Sequence, residues 1–270
     1  MSQNIVSVLG CGWLGLPLAQ NLIALGHKVK GSTTSSDKIE VLKKAGIVPY
    51  QFSISPPRPS EVGDFFSADV LFLNIPFSRD LEAPTYYIEQ VQTVIQKTKG
   101  TGIRTVIFAS STSVYSDDCV RASEDAVIVP EDIRSIALLA AENLLQSQKE
   151  FKTVVLRFAG LYGGERKIGK FLAGKTGLPE GDSPVNLVHL EDCIAAVTAV
   201  IEKNIQGEIL NVCSDKHPTR RELYTKAAQS LGLPAPQFSA QPSRKTKIVT
   251  NEKIKKLLDL KFLHPDPMEL

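Results

Sequence analysis

The chain has 270 residues, a length that suits one large domain or two small ones with a buried core. Hydrophobic residues make up 43% of the sequence, close to the share in globular proteins, which excludes a disordered or fibrous chain. The 31 basic and 29 acidic residues leave a net charge of +2, so electrostatics give no reason to expect nucleic acid or an anionic membrane as partner.

Neither a membrane span nor a cysteine framework is visible in the sequence. No run of about 18 apolar residues occurs, and the apolar segment 5–25 lacks the basic residues that begin a signal peptide. The four cysteines show no CxxC or zinc-type spacing: Cys11, Cys119, Cys193 and Cys213. We therefore expect reduced cysteines, no metal site and a cytoplasmic protein.

Short β-branched runs alternate with longer amphipathic stretches through the first 160 residues. The pattern predicts strands over 5–9, 28–32, 48–52, 70–74, 105–109 and 153–158. It predicts helices between them over 16–24, 38–44, 86–99 and 133–148. Because the strands are almost wholly apolar and helices separate them, the pattern indicates an α/β fold with a doubly wound parallel sheet of the Rossmann type.

The composition changes near Gly160, where loops rich in glycine and proline begin. Beyond it we predict a helix over 192–202, a seventh strand over 208–212, and helices over 219–231 and 251–258. We therefore divide the chain into a Rossmann core over 1–160, with return segments near 186–213, and a smaller irregular substrate lobe formed by 161–185 and 214–270.

A glycine motif, Gly10-Cys11-Gly12-Trp13-Leu14-Gly15, joins the first predicted strand to the first helix. In such a turn the first glycine permits the tight bend, the second lets a pyrophosphate approach the backbone, and the third lets the helix lie close to the sheet. The helix N terminus offers N–H groups to the phosphates. We predict a dinucleotide site with five residues from this motif, with a bare glycine turn as the alternative: Gly10, Gly12, Trp13, Leu14 and Gly15.

The end of the second strand distinguishes NAD from NADP. A carboxylate at this place binds the ribose 2′-hydroxyl of NAD, but the sequence has Thr33, followed by Thr34, Ser35 and Lys38. Hydroxyls and an ammonium group can hold a 2′-phosphate, so NADP is favoured over NAD. Asp37 lies slightly late for the acidic role but could fill it, or it could cap the next helix within a polar loop.

Other strand ends complete the predicted cofactor site. Asn74, Ile75 and Pro76 follow the fourth strand, and ligands of doubly wound sheets bind beyond the carboxyl ends of the strands. We also assign Ser110, at the fifth strand, and Gly160, after the sixth, to cofactor binding.

Three later segments occur in a recognisable order: Ser110-Ser111-Thr112-Ser113-Val114-Tyr115, then Arg157 with Gly160-Leu161-Tyr162-Gly163, then Val188-His189-Leu190-Glu191-Asp192. Together with the glycine turn they resemble motifs of the extended short-chain dehydrogenase/reductase family, the NAD-dependent epimerase/dehydratase group. The resemblance spans roughly residues 5–212. It implies a Rossmann fold, a nicotinamide dinucleotide and a substrate of hydroxyl, carbonyl or sugar-nucleotide type.

The sequence departs from that family in two places. Active members carry Tyr-x-x-x-Lys on the helix after the fifth strand, and alignment puts Arg134 in the tyrosine place and Leu138 in the lysine place. Arginine, with a pKa above about 12, is a poor general acid near neutral pH, and leucine cannot bind the ribose. In addition, Leu9 stands where the extended group has its first glycine. The chain therefore resembles the atypical members of the family.

The resemblance implies roles for three candidate catalytic residues. Ser111 would hydrogen-bond a substrate oxygen beside the nicotinamide, and Tyr115 could donate a proton if its pKa were lowered from about 10. Arg134 could hold an anionic substrate group through two hydrogen bonds. Each has a structural alternative, as a strand-end hydroxyl, a packed ring or a solvated helix residue. For His189 we expect packing rather than catalysis, and for Asp192 the N-cap of the next helix.

Two functions follow from these observations. The first is an NAD(P)-dependent oxidoreductase of the epimerase/dehydratase type, in which the protein orients a small substrate against the nicotinamide. The second is a non-catalytic NAD(P) sensor that controls a partner, since the Tyr-x-x-x-Lys pair is replaced by Arg134 and Leu138. In either case we expect a monomer or homodimer that binds small molecules rather than nucleic acid or a membrane.

Overall fold

The computed structural model of the chain describes residues 3–55, 61–77 and 83–269. These residues form a seven-stranded parallel sheet and a separate two-stranded one. In chain order the strands are β1 (Ile5–Leu9), β2 (Lys28–Thr33), β3 (Val48–Gln51), β4 (Val70–Leu73), β5 (Thr105–Ser111), β6 (Lys152–Phe158), β7 (Gly160–Tyr162), β8 (Leu187–His189) and β9 (Ile209–Val212).

The helices of the described residues lie between and after these strands. They are α1 (Gly15–Ala24), α2 (Ile39–Lys44), α3 (Ala83–Thr98), α4 (Ile133–Gln146), α5 (Gly169–Leu172), α6 (Leu190–Glu202), α7 (Arg220–Ser230) and α8 (Glu252–Leu258). Capping boxes begin two of them: the side chain of Asp132 accepts the Ser135 N–H at α4, and that of Thr219 accepts the Glu222 N–H at α7. Local sequence therefore sets where these two helices start.

The order of the large sheet is β3-β2-β1-β4-β5-β6-β9. The order reverses at β1, where Val8 lies opposite Gly31 of β2 on one side and Phe72 of β4 on the other. In doubly wound sheets such a reversal opens a crevice beyond the carboxyl ends of the strands, and ligands bind there. The predicted fold class is confirmed. We expect a ligand to contact the segments that follow β1, β2 and β4.

The chain packs into two compact units, which we call the first and second units. The first comprises residues 1–114, 130–156 and 197–209. All four residues of β4, Val-Leu-Phe-Leu, are buried, as are Val6 and Val8 of β1 and Phe108 of β5. Apolar side chains occupy both faces of these strands because a parallel sheet is covered on both sides.

The second unit comprises residues 115–129, 157–196 and 210–270. In it β7 and β8 pair in parallel, with Gly160 opposite Leu187 and Tyr162 opposite His189. Its core is a buried apolar cluster with members from β7, β8 and α7: Tyr162, Ile168, Val185, Leu187, Leu223 and Ala227. The packing units divide the chain differently from the predicted core and lobe, because they place 115–129 and 186–196 in the second unit. The predicted boundaries at 160 and near 186–213, which concern cofactor and substrate binding, stay a prediction.

The predicted elements are found within three residues of their expected ends. The short pieces β7, β8 and α5 were not predicted. The predicted N-cap role of Asp192 is wrong, because β8 continues directly into α6 and places Asp192 inside the first turn. Its carboxylate instead accepts the backbone N–H groups of Leu263 (2.6 Å) and His264 (3.0 Å).

Among the described residues, no helix is both long and apolar enough to cross a membrane. The four cysteines are free, and Cys11, Cys193 and Cys213 are buried. Burial raises the pKa of the Cys11 thiol to about 12, so this thiol is protonated and unreactive near neutral pH.

Candidate functional site

The turn between β1 and α1 has room only for glycine at two positions. Gly10 adopts a left-handed φ of +104°, and a Cβ on it would lie 2.4 Å from the carbonyl oxygen of Asn74. A Cβ on Gly15 would lie 2.2 Å from the carbonyl oxygen of Gly10. The Ser32 hydroxyl accepts the Gly10 N–H (3.0 Å), and the Asn74 amide donates to the Gly10 carbonyl (3.2 Å). Neighbouring strand ends therefore hold this turn in place.

Gly12 differs from both, because a Cβ there would meet no atom of the described residues within 4 Å, its two chain neighbours apart. The glycine is not required by packing, and the space above it is open. Helix α1 begins beside it without a side-chain cap at Leu14 and without an acidic residue in its first turn. The positive end of the helix thus borders an open cradle of backbone. These residues fit a dinucleotide pyrophosphate.

The end of β2 presents hydroxyls and one cation. Thr33 is buried, and its hydroxyl accepts the Ser35 N–H (3.1 Å), while Thr34 and Lys38 are exposed. Lys38 lies close enough to the glycine turn for its charge to act on the Cys11 thiol. Burial raises the pKa of that thiol, and the positive charge of Lys38 opposes the rise. Asp37 lies inside the 3₁₀ turn Ser36–Lys38, and the described cap residues of this turn and of α2 are Ser35 and Lys38, so the capping alternative for Asp37 is wrong.

The serines at the end of β5 face different surroundings. The Ser110 hydroxyl is buried and donates to the buried carboxylate of Glu142 (2.5 Å), a partner that the sequence analysis missed. Ser111 is half-buried, and its hydroxyl accepts the Ser113 N–H (3.1 Å). A hydroxyl that accepts one bond can still donate its own proton. Ser111 can therefore donate to a ligand, whereas the donor capacity of Ser110 is used inside the protein.

Helix α4 carries the two residues that depart from the family pattern. Arg134 is exposed at the start of the helix, and Leu138 is buried, with 3% of its surface exposed. Burial raises the pKa of the Tyr87 phenol well above its usual range, and the Arg134 charge opposes this rise, so the guanidinium group lies near Tyr87 of α3. The predicted place of the family's lysine is thus a core position here.

Tyr115 belongs to a buried polar network in the second unit. Its hydroxyl donates to the Asn211 side chain (2.8 Å) and accepts from Arg157 Nη1 (2.9 Å), and only 3% of the residue is exposed. Burial raises the pKa of the phenol, and the Arg157 charge only partly opposes the rise. The lowered pKa that a proton donor needs is therefore not present, and a catalytic role for Tyr115 stays a prediction.

Gly160 also lies in the second unit, as the first residue of β7. A Cβ there would lie 2.7 Å from a methyl group of Leu187, so packing of β7 on β8 accounts for the glycine. Its predicted contact with the cofactor stays a prediction.

A cavity of about 300 Å³ lies within the second unit and is lined mainly by polar and charged residues. Its lining includes Asp117, Ser183, Asn186, Arg220, Lys245 and Lys247. Asp117 pairs with Lys245 (2.6 Å) and Lys247 (2.8 Å), while Arg220 donates to the Pro179 carbonyl oxygen. Sequence motifs gave no sign of this cavity because its residues come from four separate segments.

Comparison with known proteins agrees with this geometry. The family model described as "NAD dependent epimerase/dehydratase family" matches residues 6–213. Protein YeeZ of Escherichia coli K12 is 36% identical over 267 residues, 97% of each chain.

Two solved structures share the fold. UDP-glucuronic acid 4-epimerase of Bacillus cereus, in complex with NAD, matches with a TM-score of 0.78 and 19% identity over 98% of this chain and 96% of that one. UDP-glucose 4-epimerase of Thermotoga maritima, with UDP-glucose, matches with a TM-score of 0.77 and 19% identity over 96% and 94% of the two chains. At these identities the likeness is one of fold.

Proposed function

The chain belongs to the NAD dependent epimerase/dehydratase family, and from this premise we propose that it binds NADP and transfers hydride to or from a small substrate. One observation carries this function: the open backbone at Gly12 beside the uncapped start of α1. When bound, the nicotinamide supplies the redox chemistry. The chain supplies the groups that hold the dinucleotide and the reacting oxygen of the substrate.

The preference for NADP rests on the residues after β2. Thr33 stands where an NAD-binding protein of this fold places a carboxylate, and a carboxylate there would repel a 2′-phosphate. The exposed side chains of Thr34 and Lys38 can donate hydrogen bonds to a phosphate, and the charge of Lys38 adds attraction. The Bacillus cereus relative holds NAD, so cofactor choice is a point on which we expect this chain to differ.

Ser111 and Arg134 are the groups of the first unit that we assign to the substrate. The Ser111 hydroxyl would donate to a substrate carbonyl or hydroxyl oxygen and hold it in position for hydride transfer. The exposed guanidinium of Arg134 would bind a carboxylate or phosphate group of the substrate through two parallel hydrogen bonds. For Tyr115 to act as a proton donor, its phenol would first have to release the bond to Asn211.

We assign the substrate to the sugar-nucleotide type. The Thermotoga maritima relative was solved with UDP-glucose, and a substrate of this kind carries both hydroxyl groups and a charged diphosphate. Within the first unit, the exposed guanidinium of Arg134 has the charge that such a diphosphate requires.

A second function, a non-catalytic NADP sensor, is favoured by two observations. Leu138 is buried in the place of the family's lysine, and the Tyr115 phenol is held by Arg157 and Asn211. A sensor would bind the dinucleotide with the same glycine turn but would not reduce or oxidise it.

Titration calorimetry with both dinucleotides tests the cofactor assignment. We expect the wild-type chain to bind NADP at least tenfold more tightly than NAD, about 1.4 kcal/mol. Lys38→Ala should weaken NADP binding about tenfold, because a charge-assisted hydrogen bond is lost, and should leave NAD binding unchanged. Lys43→Ala is the control, since this exposed lysine of α2 pairs with Glu40. Tighter wild-type binding of NAD would contradict the preference.

Turnover decides between the enzyme and the sensor. The chain loaded with NADP or NADPH is mixed with a panel of sugar nucleotides and small carbonyl compounds, and the nicotinamide absorbance and the sugar products are followed. An oxidoreductase or epimerase will convert at least one substrate of this panel. No conversion, together with a partner protein whose affinity changes when NADP is added, would favour the sensor.

A further inference from the structure

Three side chains with metal-ligating atoms meet in the second unit. His189 ends β8, Glu191 lies in the first turn of α6, and His264 lies after α8. One ligand atom of each lies within 4.8 Å of those of the other two. Glu191 Oε2 is 2.7 Å from His264 Nε2 and 3.8 Å from His189 Nδ1. The carboxylate oxygen therefore stands between two imidazole nitrogens.

The His189 ring is held so that Nδ1 faces this cluster. A Cβ on Gly163 would lie 2.4 Å from His189 Nε2, so that nitrogen packs against the backbone. The ring also makes an edge contact with Tyr162, with 5.0 Å between centroids. Nδ1 accepts the Glu191 N–H at 3.3 Å, which is long for such a bond. The Glu191 carboxylate oxygen lies 3.8 Å from the same nitrogen, so a weak bond is all that an incoming ion would have to displace at Nδ1.

His264 is brought to the cluster by an anchored backbone. The carboxylate of Asp192 accepts the N–H groups of Leu263 and His264, and the Ser214 hydroxyl donates to the His264 carbonyl (3.0 Å). The imidazoles of His189 and His264 stack with 3.6 Å between centroids. Both rings are already side by side, tilted by 40°, and would need to turn apart by a small rotation for each to direct a nitrogen at one ion.

We propose that His189, Glu191 and His264 form a binding site for a divalent first-row metal ion, with zinc as the best match. Two imidazoles and one carboxylate are the donor set that zinc prefers, with bonds of about 2.0–2.2 Å. Tetrahedral ligands on such bonds lie roughly 3.3 Å apart, between the two oxygen–nitrogen distances of the cluster. The Glu191 side chain is 59% exposed, so water can complete the coordination.

The ion would join two parts of the second unit that are distant in sequence. His189 and Glu191 flank the β8–α6 junction, and His264 belongs to the C-terminal segment. A bound ion would add to the two hydrogen bonds with which Asp192 already holds that segment. The sequence analysis predicted no metal site because the cysteines lack a suitable spacing. The present donor set consists of two histidines and a glutamate, so cysteine spacing could not have revealed it.

Metal titration of the full chain tests the site. The protein, freed of any purification tag and treated with chelator, is titrated with zinc sulfate in a calorimeter. We expect one equivalent to bind, and Glu191→Gln and His264→Gln to weaken binding by about 10–100-fold or more. Glu252→Gln is the matched control, because this exposed carboxylate of the second unit pairs with Arg121 away from the cluster.

Cobalt(II) gives a second measurement that depends on coordination. A four- or five-coordinate Co²⁺ ion with two imidazole ligands absorbs visible light, and zinc should remove that absorption from the wild-type chain by competition. Saturating zinc should also raise the melting temperature by about 5 °C, but not in Glu191→Gln, whose exposed side chain is not needed for folding. Absence of zinc and cobalt binding by the wild type, or equal binding by both variants, would overturn the site.

Discussion

The turn between β1 and α1 and the start of α4 keep the family pattern to different degrees. In the turn, Gly10 and Gly15 are required by close backbone contacts and Gly12 borders open space. On α4, Arg134 and Leu138 stand where we predict the family's tyrosine and lysine. A backbone cradle needs only space and N–H groups, whereas proton transfer needs particular side chains. The turn therefore keeps the features that hold a dinucleotide, whereas α4 has lost the side chains expected to carry proton transfer.

The largest expected effect on dinucleotide binding is at Gly12. Gly12→Val should weaken dinucleotide binding by at least about 100-fold, or 2.7 kcal/mol, because its methyl groups would fill the space left for the pyrophosphate. Folding should be unaffected, since no atom of the described residues beyond the two chain neighbours lies within 4 Å of the new Cβ. Calorimetry and circular dichroism measure the two properties. Gly102→Ala, in ordinary contact with Ala68, is the control, and unchanged affinity in folded Gly12→Val would refute the cradle.

Restoring the family's lysine should fail in this chain. Leu138→Lys should lower the free energy of unfolding by about 3–5 kcal/mol, because it places an unpaired charge in a core position. Ile136→Lys on the same helix should change it little, since Ile136 is 49% exposed. Urea denaturation of both variants gives the comparison. Equal stability of the two would show that α4 can turn a lysine at 138 toward solvent, and that the difference between the two regions is only one of residue type.

The hydroxyl of Ser111 should matter only for turnover. Once a substrate is known, Ser111→Ala should lower kcat about 100-fold, the loss typical of removing one hydrogen-bond donor to the reacting oxygen, with NADP affinity within twofold of the wild type. Ser113→Ala is the control, because the Ser113 hydroxyl is buried and makes no hydrogen bond in the described part of the chain. Equal turnover of the two variants would remove Ser111 from the site.

Tyr115→Phe should act first on stability. It removes the acceptor for Arg157 Nη1 and the donor to Asn211, so we expect the free energy of unfolding to fall by about 1–3 kcal/mol. If the phenol also moves a proton, kcat will fall by about 10²–10⁴-fold in addition. Denaturation and turnover of the same preparation separate the two roles. Wild-type values for both would show that neither the network nor the proton transfer depends on the hydroxyl.

Much of the fold and of the glycine turn could be predicted because their signals are local. Apolar runs such as Val70–Leu73 mark strands that are covered on both faces, and the glycine spacing follows directly on the first of them. The strands β7 and β8, each three residues long, are too short for an alternating pattern to show. Asp192 was misplaced for a related reason, since no loop separates β8 from α6.

The sequence by itself determined the strand–turn–helix at Gly10–Gly15, the parallel sheet and the family, because each depends on neighbouring residues or on the order of motifs. Only the tertiary structure decided that Tyr115 is held by Arg157 and Asn211, and that His264 meets His189 and Glu191. These partners are separated by between 42 and 96 residues, and packing of distant segments, rather than any periodic pattern, brings them together.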